Sequence, residues 1–241
     1  MGKAVVTGGT RGLGRAVAEA LEREGWDVES WSRSSGVDVT DEAQVAAAAR
    51  SAGAVDLLVA NAGTIDAVGP PLEVDPDAWR RDLETSAVGT FLCARSVMPG
   101  MIERRGGRIV TLASGVALRP SPYQSGYAAG KAAVLSLTES LSAVGAEHGV
   151  RVFAILPGYV RTDMTRKMHR AAEGQPWADK LLWGRALDPA LTARLVLFLA
   201  SGRGDALSGR CIHAMDDVEE LTRRADEVRE RDLYVPRLSR L

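Results

Sequence analysis

Thr7-Gly8-Gly9-Thr10-Arg11-Gly12-Leu13-Gly14 follows directly on the apolar run Ala4-Val5-Val6 and opens into the helical pattern Arg15 to Glu24. That placement, between a short β-branched run and a helix at the start of a chain, decides the fold more than the glycines do. Gly8 and Gly12 lack side chains where a backbone must turn sharply and approach a pyrophosphate. Gly14 permits the helix to pack closely on the strand, and the helix N-terminus offers free N–H groups to an anion. Thr7, Thr10, Arg11 and Leu13 complete the turn and join the three glycines as candidate dinucleotide-binding residues.

Outward from this turn the same alternation continues. Apolar runs at Val28 to Trp31, Asp56 to Ala60, Arg108 to Ala113, Val150 to Leu156 and Arg210 to His213 are separated by helical patterns at Glu42 to Ser51, Asp77 to Ile102, Gln124 to Glu147 and Pro189 to Ala200. Alternation of this kind predicts βαβ units and a parallel sheet. The expected fold is α/β: a single domain over residues 1–216 with a Rossmann-type, doubly wound, seven-stranded parallel sheet. Only Ser34-Ser35-Gly36-Val37 separate the second strand region from Asp38, too few residues for a crossover helix, so one helix of the wrap is expected to be reduced to a loop. Residues 163–185 form a long insertion bearing Met164, Met168, Trp177, Leu181, Leu182 and Trp183 among charges, and read as a substrate lid. Residues 217–241 are rich in Glu and Arg, with Leu221, Val228 and Leu233 as a sparse apolar stripe, and read as a helical tail docked on the body or on a neighbouring subunit.

Of the 241 residues, 46% are hydrophobic and 25% charged, which is enough apolar material for a buried sheet. A net charge of -1 supplies no field for holding a polyanion, so nucleic acid is not an expected partner. Cys93 and Cys211 lack both the spacing of a metal site and the density of a disulfide scaffold. No metal is expected. The N-terminus passes from Met1-Gly2-Lys3 straight into the first strand and no run approaches the ~20 apolar residues that span a bilayer, so the expectation is a cytoplasmic protein without a membrane partner.

Two further constellations carry chemistry. Tyr127 and Lys131, four residues apart within a helical pattern, project from one face a turn apart. An ammonium beside a phenol is expected to draw its pKa down toward the operating pH, where acid–base work is most efficient. Ser114 lies at the end of the fourth strand region, on the carboxyl edge of the sheet where such folds bind ligands, and its hydroxyl can stabilise charge developing on a substrate oxygen. At the end of the second strand region stand Ser32 and Arg33. A carboxylate there hydrogen-bonds a ribose 2′-OH, whereas a basic residue accommodates a 2′-phosphate. Arg33, with Arg11 from the glycine turn, therefore predicts NADP(H).

The TGxxxGxG spacing of Thr7 to Gly14, followed by Ser114, Tyr127 and Lys131, resembles the short-chain dehydrogenase/reductase family over residues 1 to about 213. The resemblance implies that Asp38-Val39 contacts the adenine and that Asn61-Ala62-Gly63 corresponds to an NNAG segment with its first Asn replaced. It further implies that Lys131 touches the nicotinamide ribose, and that Pro157, Gly158, Val160 and Thr162 hold the carboxamide. It implies hydride transfer between NADP(H) and a ketone or secondary alcohol with Tyr127 as acid/base, and a homodimer or homotetramer; a pocket drawn from Leu118, Tyr123, Gln124 and the Met- and Trp-bearing lid predicts an apolar or aromatic substrate of moderate size. Two departures stand out. Ser86 occupies the place of an Asn that helps hold a relay water in relatives, and Met215-Asp216-Asp217 replaces a glycine-rich ending. The alternative reading is a non-redox dehydratase, epimerase or cyclase on the same scaffold, and a cofactor-sensing protein is disfavoured by the intact Ser114, Tyr127 and Lys131.

Overall fold

The computed structural model describes residues 2–181 and 184–237. Its first unit is the strand β1 (Lys3–Thr7), the glycine turn, helix α1 (Gly12–Arg23) and strand β2 (Asp27–Trp31). Helix α2 (Glu42–Ala52), β3 (Leu57–Ala60), α3 (Pro76–Leu83), α4 (Gly89–Glu103) and β4 (Gly107–Leu112) come next. The second half is α5 (Ser125–Ala146), β5 (Val150–Leu156), α6 (Asp163–Ala172), α7 (Pro189–Ala200) and β6 (Cys211–His213), then a tail of α8 (Val218–Arg223) and α9 (Ala225–Glu230).

All strands run parallel in the order β2-β1-β3-β4-β5-β6. The period-two alternation of each strand sorts its apolar residues onto two faces, both of them covered. Ala4, Val6, Leu57, Val59, Val110, Phe153 and Ile155 pack under α1, α7 and the tail. Val5, Leu58, Ile109 and Val152 pack under α2 and α4. The chain leaves β1 toward β2 on one side and enters β3 on the other, so the strand order reverses beside β1. A crevice opens there at the carboxyl ends of the strands.

The sheet has six strands among the described residues, not the seven expected. A parallel neighbour on the far side of β2 needs a crossover of a dozen or more residues plus a strand, and residues 32–41 supply one 3₁₀ turn, Arg33–Ser35. β2 is consequently an edge. The expected helix Asp77 to Ile102 is also divided: α3 and α4 are joined by a π-helical turn, Glu84–Val88. Helix starts are set by the capping side chains. Asp75 with Pro76, and Asp188 with Pro189, cap α3 and α7, Asp41 caps α2, and Thr162 and Thr165 form a capping box on α6.

The tail belongs to the body. Ala225 and Val228 are buried in the core, with Leu221 and Leu233 packed against it. Beyond α9, the Cys211 N–H donates to the Tyr234 carbonyl at 2.8 Å and the Arg210 guanidinium reaches Asp232 at 3.1 Å, which closes the β6 edge. No helix among the described residues is long and apolar enough to cross a membrane.

Candidate active site

The crevice is a cleft of about 670 Å³. Its outer end is built by the glycine turn. Gly8 and Gly12 have φ of +65° and +55°, in the left-handed region that only glycine enters freely. At Gly14 a Cβ would sit 2.4 Å from the Gly8 carbonyl oxygen and 2.5 Å from the Asn61 amide nitrogen. The turn is thus a cradle that any side chain would fill. Arg11, the residue before α1, offers no side-chain cap, which leaves the first-turn N–H groups directed at the cleft for an anion.

Thr10, Ser32 and Ser34 form a cluster of hydroxyls on the rim, with Oγ separations of 2.8 Å for Ser32–Ser34, 3.3 Å for Thr10–Ser32 and 3.2 Å for Ser34–Thr10. Arg11 and Arg33 flank it, exposed, and among the described residues neither forms an ion pair. Leu13, Asp38, Val39, Asn61, Ala62 and Gly63 line the same cleft. The Asp38 carboxylate accepts from the Thr40 N–H and hydroxyl. Burial pushes that acid up, yet those bonds and the nearby Arg33 charge outweigh it and hold it below the ordinary range. Thr7 lies elsewhere. It is buried, and its hydroxyl accepts the N–H groups of Asn61 and Ala62, both at 2.9 Å, tying β1 to the end of β3.

At the inner end, Tyr127 and Lys131 come from the first two turns of α5. Lys131 is 3% exposed and donates to the Leu112 carbonyl at 2.6 Å, with its Nζ 5.6 Å from the Tyr127 ring centroid. Burial holds its ammonium down to about 8. Burial likewise pushes the Tyr127 phenol up to about 12, an interaction with the Ser114 hydroxyl pulls it down, and the Asp82 charge adds to the rise. This corrects the expectation that Lys131 lowers the phenol. The ammonium is committed to a carbonyl at the end of β4, and desolvation dominates.

Ser114 caps the 3₁₀ turn Gly115–Leu118 that succeeds β4. Pro157, Thr162 and Met164 line the cleft; Gly158 has φ of +71° and Val160 is buried. Ser86 is fully buried in the π turn, and its Oγ has no hydrogen-bond partner among the described residues. A Cβ at Gly63 would stand 3.6 Å from the Lys131 Nζ and 3.7 Å from this Oγ, so the orphaned hydroxyl faces the same small space as the lysine.

The insertion, residues 163–185, carries a small core of its own. Trp177 stacks on Tyr123 with ring centroids 4.8 Å apart and 9° between planes, and with Leu181 and Ala172 it forms a small core against Val68. Met168 is buried, Leu118 is exposed and Gln124 is buried. Leu182 and Trp183 lie outside the described residues. Reading the sequence for motifs missed Asp82, Ser34 and the pair Gly126 and Gly130. The glycines did leave a signal, an i,i+4 repeat one residue ahead of Tyr127 and Lys131.

The profile of the family described as enoyl-(acyl carrier protein) reductase matches residues 29–216. The chain belongs to the short-chain dehydrogenase/reductase family. It is 32% identical over 234 residues to the 3-oxoacyl-(acyl-carrier-protein) reductase FabG of Vibrio harveyi, covering 87% of this chain and 94% of the relative. It is 34% identical over 232 residues to the acetoacetyl-CoA reductase of Shinella zoogloeoides, covering 88% and 95%. A Beutenbergia cavernae structure named for an NAD(P)-dependent gluconate 5-dehydrogenase, with NADP bound at low occupancy, matches with a TM-score of 0.77 and 31% identity, over 88% of this chain and 94% of that one. These short-chain dehydrogenase/reductase relatives are oxidoreductases by name, which agrees with a nicotinamide-dependent enzyme on this scaffold.

Proposed function

We propose that the chain is an NADP(H)-dependent ketoreductase, interconverting a ketone and a secondary alcohol, with Tyr127 as the acid/base. The observation that carries it is one cleft whose outer rim holds two exposed guanidiniums among hydroxyls and whose inner wall holds Tyr127 and Lys131. The glycine cradle fits a pyrophosphate, and Thr10, Arg11, Ser32, Arg33 and Ser34 fit a 2′-phosphate by charge and donor geometry. When bound, NADPH supplies the hydride, and the reduction consumes one proton per ketone.

That proton comes from Tyr127. Near neutral pH a phenol pushed this far up is protonated, the form that donates to a carbonyl oxygen. The Ser114 hydroxyl stabilises the charge developing on that oxygen. Lys131, held on the Leu112 carbonyl and titrating near 8, is the group beside Tyr127 that can regain a proton close to working pH. Ser86 is too deeply buried to touch substrate; its free hydroxyl belongs to the lysine's surroundings. The substrate we favour is an apolar or aromatic ketone of moderate size, received beside Ser114 under the α6 segment, in a homodimer or homotetramer.

Tyr127→Phe tests this directly. With a panel of ketones, the variant is expected to lose about 10²–10⁴-fold in NADPH oxidation while still binding NADPH. Full retained activity would sink the mechanism, and product formation without net NADPH consumption by the unaltered chain would favour the non-redox alternative.

A further inference from the structure

Asp82 is a carboxylate with no solvent exposure in a helix otherwise studded with surface charge. Its Oδ1 accepts the Thr64 hydroxyl at 3.0 Å and the Asp66 N–H at 2.7 Å, and its Oδ2 accepts the Ala67 N–H at 3.0 Å. All three donors lie in one segment, the residues directly after Asn61-Ala62-Gly63, and Thr64 and Asp66 line the cleft. No helix or strand holds this segment: it leaves β3 and precedes α3 as an irregular run.

The same stretch of α3 is seated on α5. A Cβ on Gly130 would lie 3.1 Å from the Asp82 carbonyl oxygen and 2.9 Å from the Ser86 Cβ, so the two helices approach closely between Tyr127 and Lys131. From the other side, Asp66 is tied to Lys167 of α6 at 2.5 Å and to Arg81 at 3.5 Å. Asp82 therefore sits where the segment after β3, the helix carrying Tyr127 and the α6 segment meet.

We propose that Asp82 is a positioning residue of this site: its buried carboxylate holds residues 64–67 in place at the inner end of the cleft and sets a fixed negative charge within electrostatic reach of Tyr127. This rests on the ketoreductase reading only for its kinetic consequence. The groups around Asp82 are Thr64 and Asp66 from the segment and Arg81 on its own helix, whose guanidinium turns to Asp66 and Asp75, and its charge reaches Tyr127 of α5. Among the described residues no cation pairs with Asp82, so its charge is offset by hydrogen bonds alone. Burial raises its own pKa, the Ala67, Asp66 and Thr64 bonds lower it, and the Asp66 charge raises it further, with a net rise. Its field opposes a phenolate at Tyr127.

Asp82→Asn separates this from a merely structural role. The amide keeps the shape, removes the charge and presents donor hydrogens to a shell made only of donors. Titration of Tyr127, read as phenolate absorbance against the matching Tyr127→Phe background, is expected to move to lower pH. With a ketone that the unaltered chain reduces, kcat is expected to fall about tenfold to a hundredfold, and the pH limb of alcohol oxidation to move down with the phenol. Thr64→Val loosens the same segment while keeping the charge, so its phenol should titrate as in the unaltered chain while kcat falls. Asp82→Glu should restore the titration. An unshifted phenol and unchanged kcat in Asp82→Asn overturn the inference, as does a shift of equal size in Thr64→Val, which would make burial the cause. If Asp82→Asn does not fold, Thr64→Val with unaltered kcat overturns it. If no ketone is reduced, the functional reading fails while the phenol titration still decides Asp82.

Discussion

Arg33 stands in the first turn after β2, exposed and, among the described residues, without a direct ion pair, beside the hydroxyls of Thr10, Ser32 and Ser34. If it binds a 2′-phosphate, Arg33→Ala should weaken NADPH binding about tenfold or more, the worth of one or two charge-assisted hydrogen bonds, and leave NADH binding unchanged. Competitive titration of the two cofactors checks this. Lys131 makes a pH prediction of two kinds. Because its ammonium is lost near 8, ketone reduction should decline as pH rises through about 8. The stability argument has the opposite slope. The folded value, about 8, lies below the ordinary 10.5, so between those values the unfolded chain binds more protons and stability rises with pH. Thermal midpoints of Lys131→Met and the unaltered chain should accordingly differ most below pH 8, with Met the more stable, and converge toward pH 10.5. The candidate set Ser114, Tyr127 and Lys131 was legible as residue types at a spacing. Their acid strengths were not, since desolvation depends on packing that no i,i+4 rule encodes. Asp82 was illegible for the same reason. Following Asp77, Arg80 and Arg81, it reads as one more charge on a solvated helix face, and only the fold turns it inward.

At the scale of elements, α3, the π turn and α4 form one bent rod laid on α5. The extra residue of a π turn rotates the helix beyond it and aims Ser86 inward beside Lys131. Close approach of α3 to α5 depends on Gly126, where a Cβ would meet the Trp79 ring at 3.0 Å, and on Gly130. Gly130→Ala meets backbone as well as a side chain, so the helices must part. The expected cost is about 1–3 kcal/mol of stability, with a larger fractional loss of kcat than of NADPH affinity, measured by denaturant unfolding and steady-state kinetics. The sequence announced β1, the glycine turn and α1 because local chemistry alone specifies them. It also showed that residues 32–41 leave no room for a crossover helix, yet the expected seventh strand persisted. That strand was drawn from the alternation although only six apolar runs carry it, and geometry overrules it: without the crossover there is no route to the far side of β2. The stacking of Trp177 on Tyr123 was hidden too, because an insertion that leaves its apolar residues exposed and one packed on its own small core share one composition.

For the whole molecule, the tail is the decisive addition. Its apolar stripe was readable, but whether it docks on the body or on another subunit depended on where β6 ends. Val228 and Ala225 complete the core over Leu207 and Ile212, and on the β6 edge the Tyr234 carbonyl accepts from the Cys211 N–H and the Asp216 carboxylate from the His213 N–H. Removing residues 217–241 should cost several kcal/mol, on the order of 25 cal/mol per Å² of apolar surface uncovered, and make the chain associate at rising concentration, as read by thermal unfolding and light scattering. The two ends of the sheet are therefore unlike: β6 is sealed by its own chain, whereas β2 has no strand beyond it among the described residues, since residues 32–41 hold no crossover, and is touched there by the Ser35 hydroxyl on the Ser30 carbonyl. A body with a single bare end can be joined through it once. Two such molecules meeting at β2 would exhaust each other's free hydrogen-bonding rows, and growth by strand addition would halt at a pair. The sealed end is what denies this sheet a path to a fibre.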